Sequence, residues 1–130
     1  MSSESLHAPR ERLSRATITH HQAIVSLIEE LEAVDWYRQR ADDCEDVALK
    51  EILLHNMREE MEHASMVLEW LRRSDPNWGE MMKTYLFTEV PILEVEETET
   101  SGDAATSSSD ASDAKPVNKF TIGTLKDGGN

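Results

Sequence analysis

The sequence predicts an all-α fold, an antiparallel two-helix hairpin followed by a short C-terminal helix. Three observations support this prediction. No glycine or proline lies between Pro9 and Pro76, a stretch too long for one ordinary globular helix. Apolar side chains recur along this stretch at alternating intervals of four and three residues, which is the helical period. A polar cluster at 42–46 supplies capping residues near the middle, and a short turn there makes the two helices antiparallel.

The first two helices are expected over residues 10–40 and 45–74. Pro9 suits a helix start, because proline is tolerated in the first turn of a helix. Pro76 disfavours helical geometry in the residue before it, so the second helix ends near Ser74. Each helix carries a seam that packs against another helix. The seams comprise Leu13, Thr17, His20, Ile24, Leu27, Leu31 and Val34 in the first helix, and Leu49, Leu53, Asn56, Glu60, His63, Val67 and Trp70 in the second.

The third helix is expected over residues 77–88. Two helices of roughly 30 residues cannot enclose a core alone, and small scaffolds usually need oligomerisation, metals or disulfides. The single cysteine, Cys44, excludes an internal disulfide, so oligomerisation and metal binding remain. The third helix would carry Trp78, Met81, Met82, Tyr85 and Leu86.

The charge of the chain restricts the partners that it can bind. The 130 residues include 13 Lys and Arg against 26 Asp and Glu, for a formal net charge of −13. This excess argues against binding to nucleic acid or to an anionic membrane surface. No apolar run approaches the length of a membrane helix, and the N-terminal segment lacks the apolar core of a signal peptide. We therefore expect a cytoplasmic protein, which a single cysteine also fits.

The C-terminal part of the chain differs in composition from the rest. Residues 94–113 carry acidic side chains and no basic residue, and they contain almost no large apolar side chain. Such a segment cannot bury enough surface to offset its ordering entropy, so disorder is expected. The predicted organisation is a helical domain over 1–93, a disordered acidic linker over 94–118 and a peptide region over 119–130.

Two polar residues interrupt the apolar seam of the second helix. Glu60 and His63 are three residues apart and therefore share one helical face. A buried carboxylate needs a partner, and Glu-x-x-His on an inward face is the ligand motif of di-iron carboxylate bundles. Glu30 lies between Leu27 and Val34, so it can point toward the seam of the first helix. A full di-iron site needs four Glu and two His, and two hairpins related by a two-fold axis would supply them.

Other interpretations of these residues stay open. Glu-x-x-His occurs by chance in acidic helices, where most carboxylates belong to a solvated face. The ligand types also permit a rubrerythrin-like peroxidase, another di-metal oxidase, or a helical dimer that binds metal without catalysis. The remaining candidates are interpreted as structural or capping (His20), as surface positions or neighbours of the ligands (His21, His55), as packing residues (Met57, Met61, Met66, Met81, Met82) and as a turn residue of no assigned role (Cys44).

Three long stretches, at residues 24–37, 55–73 and 84–89, make the chain resemble the encapsulated ferritin family. The resemblance implies a protomer of two helices and a short third helix, two of which form a ferritin-like four-helix unit. It further implies a di-iron centre between the two protomers and an open ring of five such dimers. The implied activity is that of a ferroxidase, which oxidises Fe²⁺ to Fe³⁺.

The same resemblance assigns roles to individual residues. Glu30, Glu60 and His63 match the iron ligands of the family, and Tyr37 matches a residue beside the iron. Glu29, Glu32 and Trp36 match an outer metal site through which iron enters, and Trp36 restricts access there. This outer site could also hold calcium or another divalent cation. Met57 and Met61 stand at positions that are more often charged in the family.

A short apolar island interrupts the polar tail. Phe120, Ile122 and Leu125 are separated by small residues and followed by a basic one. The pattern resembles the cargo-loading peptides of encapsulin shells, so we expect the chain to be cargo inside an encapsulin nanocompartment that stores the iron. A flexible linker suits such a tether. The predicted shell-targeting residues are Phe120, Thr121, Ile122, Gly123, Thr124, Leu125 and Lys126.

Overall fold

The computed structural model describes residues 5–103, and all the secondary structure in that range is helical. The elements are a 3-10 turn at Arg10–Arg12 and helices α1 (Arg15–Asp43), α2 (Val47–Ser74), α3 (Pro76–Tyr85) and α4 (Ile92–Asp103). The prediction of an all-α fold is therefore confirmed. The chain divides into two compact units between Ile92 and Leu93.

Helix α1 begins five residues later than predicted, because Ser14 and not Pro9 caps it. Pro9 precedes only the short 3-10 turn, and Leu13 after it is extended, with φ −93° and ψ 137°. The Ser14 hydroxyl oxygen then accepts a hydrogen bond from the Thr17 amide at 3.1 Å. Serine is favoured at this position because it satisfies an amide that has no partner within the helix.

The turn between α1 and α2 lies within the predicted polar cluster. Helix α1 continues to Asp43, and Cys44 caps its C-terminal end in an extended conformation. Asp46 caps α2, and its carboxylate accepts a hydrogen bond from the Leu49 amide at 2.8 Å. The three-residue connection makes α1 and α2 a hairpin, and the two helices pack along one another.

Helices α2 and α3 are separated by a single residue, Asp75. Its backbone amide donates to the Leu71 carbonyl at the end of α2, and its carboxylate accepts from the Asn77 amide at the start of α3. Pro76 occupies the first turn of α3, where its missing amide hydrogen costs nothing. Helix α3 packs against α2 and ends at Tyr85 rather than at the predicted residue 88, because Leu86 is extended.

The hairpin encloses very little core. Among the described residues, the buried hydrophobic side chains are Ala41, Ala64 and Leu71, and only Leu71 is a large one. Large apolar side chains that a monomer leaves exposed include Leu31 at 52% and Ile52 at 56% exposure. Exposed apolar surface of this extent is typical of a chain that associates with another copy or partner. None of the helices in the described range is both long and apolar enough to span a membrane.

The prediction that residues 94–103 are disordered is wrong, because helix α4 includes them. Glutamate is a good helix former, and the hydroxyls of Thr98 and Ser101 donate to the carbonyls of Glu94 and Glu97, at 2.9 and 2.7 Å. Low apolar content alone therefore underestimated the local helix propensity. The remainder of the predicted linker and the peptide region 119–130 lie outside the described residues.

Candidate metal centre

Three side chains from the middle of the hairpin converge on one point. Glu30 extends from α1, while Glu60 and His63 extend from α2, one helical turn apart. One potential ligand atom from each of them lies within 4.8 Å of the other two. These three residues form the ligand cluster, the one group of three or more such donors that residues 5–103 contain.

The imidazole of His63 lies between the two carboxylates. Its Nδ1 is 3.1 Å from Glu60 Oε2, which is within hydrogen-bonding distance, and 3.6 Å from Glu30 Oε2. The His63–Glu60 contact lies within α2, whereas the His63–Glu30 contact joins the two helices. The cluster therefore depends on the register in which α1 packs against α2.

The ligand cluster is only partly covered by its own chain. The side chains of Glu60, Glu30 and His63 keep 22%, 27% and 43% of their surfaces exposed. A closed metal site would need further groups on the exposed side. One chain thus provides only part of the coordination shell of a metal ion, and the remaining side of the cluster is open to solvent.

Crowding of like charge perturbs the titration of the cluster. A hydrogen bond between the two carboxyl groups raises the pKa of Glu30 and lowers that of Glu60. The hydrogen bond to Glu60 raises the pKa of His63. Two carboxyl groups this close favour a positive charge beside them, which a metal cation can supply.

The donor set fits a cation that accepts both oxygen and nitrogen ligands. Carboxylate and imidazole donors suit divalent iron, zinc or manganese, and the absence of thiolate from the cluster disfavours soft metals. Two Glu and one His are half of the four Glu and two His that hold two metal ions in a di-iron carboxylate bundle. Two copies of this chain would complete that set.

One electrostatic contribution was missed in the sequence. Glu59, one turn before His63, adds to the rise in the pKa of His63. Its carboxylate also lies 3.5 Å from Nε2 of His55, one turn further back. The spacing of four residues between His55, Glu59 and His63 is the signal that could have revealed this row, because such residues are neighbours on a helix.

The other predicted residues of α1 stand apart from the ligand cluster. Glu29, Glu32 and Trp36 are exposed, and at about 100° per residue Glu29 points away from the face of Glu30. The two carboxylates form no group of three donors within the described part of this chain. Tyr37 is half-buried two turns after Glu30, and the Arg40 guanidinium lies 5.5 Å from the centre of its ring.

His20 and Trp70 meet where the two predicted seams pack together. Their ring centres are 5.5 Å apart in an edge-to-face arrangement, which is a favourable geometry for aromatic rings. Nδ1 of His20 lies 2.9 Å from the Ala16 carbonyl oxygen, whereas Nε2 is buried without a hydrogen-bond partner among the described residues. These contacts agree with a structural role for His20. Cys44 lies in the turn as predicted, its thiol 3.4 Å from the Asp46 carbonyl oxygen.

Comparisons with known proteins agree with this architecture. The sequence profile of the EncFtn-like family matches residues 5–89. The "Encapsulated ferritin-like protein" of Rhodospirillum rubrum is 55% identical over 104 residues, which cover 80% of this chain and 74% of that protein. The "Ferritin-like protein" of Thermotoga maritima is 50% identical over 99 residues, covering 76% of this chain and 86% of that protein.

A solved structure resembles the chain at the level of three-dimensional fold. The crystal structure of protein ne0167 from Nitrosomonas europaea superposes with a TM-score of 0.66 at 53% sequence identity. The match covers 68% of this chain and 97% of that one. Together with the family profile and the two relatives, it assigns a ferritin-like, iron-related function at the level of the family. The chain therefore belongs to the EncFtn-like, or encapsulated ferritin, family.

Proposed function

We propose that this chain is a ferroxidase that oxidises Fe²⁺ to Fe³⁺ at a di-iron site shared by two copies. The observation that carries the proposal is the convergence of donors from Glu30, Glu60 and His63 within 4.8 Å. The family membership of the chain and its ferritin-like relatives support iron as the substrate. The donors are the types that bind iron in both oxidation states.

The ligand cluster would contribute charge and position to this reaction. Glu30 and Glu60 provide anionic oxygen, which favours the higher charge of the ferric product over the ferrous substrate. His63 must be neutral to ligate, so binding of iron is expected to weaken as the pH falls. Two ferrous ions lose one electron each, and dioxygen takes up both electrons with two protons to form hydrogen peroxide.

A second copy would complete the site from the exposed side of the cluster. One copy contributes Glu30, Glu60 and His63, and a two-fold axis would add the same residues again. The shallow core of the hairpin supports this arrangement, since only three hydrophobic side chains of the described range are buried in one copy. Five such dimers would form the ring that the family resemblance implies.

Residues outside the ligand cluster would guide the substrate. Tyr37 would stand beside the iron, on the same face of α1 as Glu30. Glu29, Glu32 and Trp36 would form an outer metal site in the assembled dimer, where calcium or another divalent cation could also bind. Exposed carboxylates attract Fe²⁺, and the Trp36 side chain, 50% exposed, would restrict its passage.

The C-terminal peptide would place the enzyme inside an encapsulin shell. The name of the Rhodospirillum rubrum relative says that it is encapsulated, which supports the same location for this chain. Phe120, Ile122 and Leu125 would dock on the shell interior, and residues 104–118 would serve as the tether. The shell would then store the ferric product, because an open ring cannot retain a mineral core.

The proposal is tested by loading the full chain with Fe²⁺ without oxygen and then adding oxygen. Ferric absorbance should rise in the wild type and fall to the rate of free iron in Glu60→Ala and Glu30→Ala. Glu62→Ala is the matched control, because it removes an exposed carboxylate of α2 that lies outside the ligand cluster. Unchanged oxidation in Glu60→Ala would refute the proposed site.

The same experiment separates the alternative functions. A rubrerythrin-like peroxidase would oxidise iron much faster with added hydrogen peroxide than with dioxygen. A manganese oxidase would turn over Mn²⁺ in place of Fe²⁺. A metal-binding helical protein without catalysis would bind Fe²⁺ and consume no oxygen above the rate of free iron.

A further inference from the structure

The aromatic ring of Tyr37 has one directional contact, and that contact is with a cation. The Tyr37 side chain is half-buried, and its hydroxyl has no hydrogen-bond partner among residues 5–103. The guanidinium carbon of Arg40 lies over the ring, 5.5 Å from the ring centre. This distance is within the range of a cation–π interaction, in which a positive charge is attracted to the face of an aromatic ring. Arg40 is therefore the group that restrains the orientation of this ring in the described part of the chain.

The choice of this contact by Arg40 is unusual in so acidic a chain. The sequence has 26 acidic residues against 13 basic ones, so a carboxylate is easily found. In the described range Arg72 and Arg73 both pair with Glu69, whereas Arg40 forms no ion pair. Asp43, three residues further along α1, is close enough on a helix to pair with Arg40 but does not. The guanidinium thus faces the ring in preference to an available carboxylate.

Arg40 lies between two residues of α1 to which the proposed function gives roles. It faces Tyr37 on one side, and on another it lines a shallow cavity of about 290 Å³ together with Trp36 and Gln39. The Gln39 amide donates a hydrogen bond of 2.9 Å to the Asp35 carboxylate, which restrains this edge of the cavity. The guanidinium therefore connects the residue that would stand beside the iron with the residue that would restrict its passage.

We propose that Arg40 is a positioning residue, whose guanidinium holds the Tyr37 ring in the orientation that places its phenol beside the ferrous substrate. The inference rests on the proposed ferroxidase function, in which Tyr37 shares a face of α1 with the ligand Glu30. A ring that turns freely about its side-chain bonds spends only part of its time in the productive orientation. Holding groups in the correct geometry is a large contribution to catalysis. Arg40 acts through Tyr37 and not on the iron, since two cations repel each other.

Two simpler roles of Arg40 make different predictions. A positive charge in the last turn of α1 would stabilise that helix through its dipole. A positive charge on the path of Fe²⁺ would only repel it, so removal of the charge would tighten the binding of iron. Neither role acts through the Tyr37 ring. The dependence of the effect on that ring therefore distinguishes positioning from both.

The first test observes the Tyr37 ring without iron. The chain has two tyrosines, so the full-length, metal-free protein with an isotopic label in its phenol rings gives two sets of NMR signals, and Tyr85→Phe identifies those of Tyr37. Arg40→Gln should shift the Tyr37 signals. Arg40→Lys should restore them in part, because an ammonium group is also attracted to the face of a ring. Unchanged Tyr37 signals in Arg40→Gln would overturn the proposal.

A neighbouring arginine provides the matched control. Arg38 is an exposed residue of the same helix, and its guanidinium does not lie over the Tyr37 ring. Arg38→Gln makes the same change of charge and side-chain type as Arg40→Gln. It should leave the Tyr37 signals in place, whereas an equal shift in both variants would show that the signals report only the loss of a charge.

The second test measures ferrous oxidation by the full-length chain over a range of Fe²⁺ concentrations, which separates kcat from KM. Arg40→Gln should lower kcat about 2- to 5-fold, the value of an exposed cation–π contact, and leave KM almost unchanged. Arg40→Lys should recover part of the loss, and Arg38→Gln should behave like the wild type. In a Tyr37→Leu background, Arg40→Gln should have no further effect, because the ring through which it acts is gone.

The kinetic outcomes separate the possible roles. A lower KM with unchanged kcat in Arg40→Gln would overturn positioning and assign Arg40 to the repulsion of Fe²⁺. An equal loss of kcat with and without the Tyr37 ring, accompanied by loss of helix in circular dichroism, would assign it to the helix alone. Shifted Tyr37 signals with unchanged kinetics would show that the contact has no effect on the reaction. Absence of oxidation in the wild type would instead overturn the ferroxidase proposal and this role with it, a result that no difference among the variants can produce.

Discussion

Nδ1 of His63 lies 3.6 Å from Oε2 of Glu30, and this contact connects the two helices of the hairpin. A shift of either helix by one residue would rotate its side chain by about 100° and separate the pair. The donor set is therefore a property of the correctly packed hairpin and not of either helix alone. Substitutions that loosen the packing should weaken metal binding even where they leave all three ligands in place.

Anaerobic Fe²⁺ is expected to drive dimer formation, because two copies share the full ligand set. Sedimentation velocity should show the dimer fraction rising with iron until one ion is bound per chain, as metal analysis of the dimer peak would verify. His63→Ala should abolish the response. His55→Ala removes an imidazole that is 63% exposed and outside the ligand cluster, so it should behave like the wild type. A dimer that binds iron normally in His63→Ala contradicts the shared site.

Leu71 is the most sensitive position in the hairpin, because it is the one large side chain that the described part of the chain buries completely. Leu71→Ala should lower the free energy of unfolding by about 2–5 kcal/mol. Leu49→Ala, at a position 48% exposed, should cost much less. Urea denaturation followed by circular dichroism, at one fixed protein concentration, measures both. Equal losses in the two variants would show that assembly and not the hairpin core determines stability.

The ion pairs of Glu69 should stabilise the fold in a manner that depends on pH. Hydrogen bonds from Arg72 and Arg73 lower the pKa of Glu69 to about 2. A lowered pKa means that the stabilisation is complete above the ordinary carboxyl pKa near 4.5 and is lost as the pH falls toward 2. The melting temperature of Glu69→Gln should therefore lie slightly below that of the wild type at pH 7, and the difference should vanish in acid.

Salt provides the control for this prediction. All three side chains are substantially exposed, so the difference at pH 7 is expected to be small and to shrink in 1 M NaCl. A difference that persists in acid and at high salt would indicate that Glu69 acts through packing and not through charge.

Most of the hairpin could be predicted from periodicity and capping chemistry. The proximity of Glu30 to the Glu60–His63 pair followed from the position of each residue relative to an apolar seam, and the Asp46 cap lay inside the predicted polar cluster. The start of α1 could not be predicted, because Pro9 and Ser14 are both acceptable helix starters and only the extended conformation of Leu13 decides between them.

Two other structural features could not be predicted from the sequence, each for a physical reason. Helix α4 was missed because its composition indicates weak burial, and burial and helix propensity are separate properties. The backbone φ of 61° at Phe87 could not be foreseen, because a positive φ is expected of glycine or asparagine and not of phenylalanine. The roles of Glu29, Glu32, Trp36 and Tyr37 stay predictions, since a single chain does not bring them to the ligand cluster.

Deletion of residues 118–130 should abolish loading into a co-expressed encapsulin shell while leaving ferrous oxidation by the purified protein intact. The reason is that the apolar island 120–125 lies far in sequence from the ligand cluster. A variant with residues 119–126 in scrambled order keeps the length and composition and should also fail to load. Purification of shells followed by quantification of cargo measures the effect. Undiminished loading of both variants would exclude the peptide as the targeting signal.

The direct junction of α2 and α3 restricts how this architecture can vary. Asp75 closes one helix and opens the next, so there is no spacer in which an extra residue could be absorbed. One inserted residue would rotate α3 by about 100° about its axis and move Trp78 and Met82 away from Leu68, while the metal ligands would keep their positions. An added segment is expected to be better tolerated after Tyr85, where α3 ends, and residues 71–79 should be kept together in any redesign of the chain.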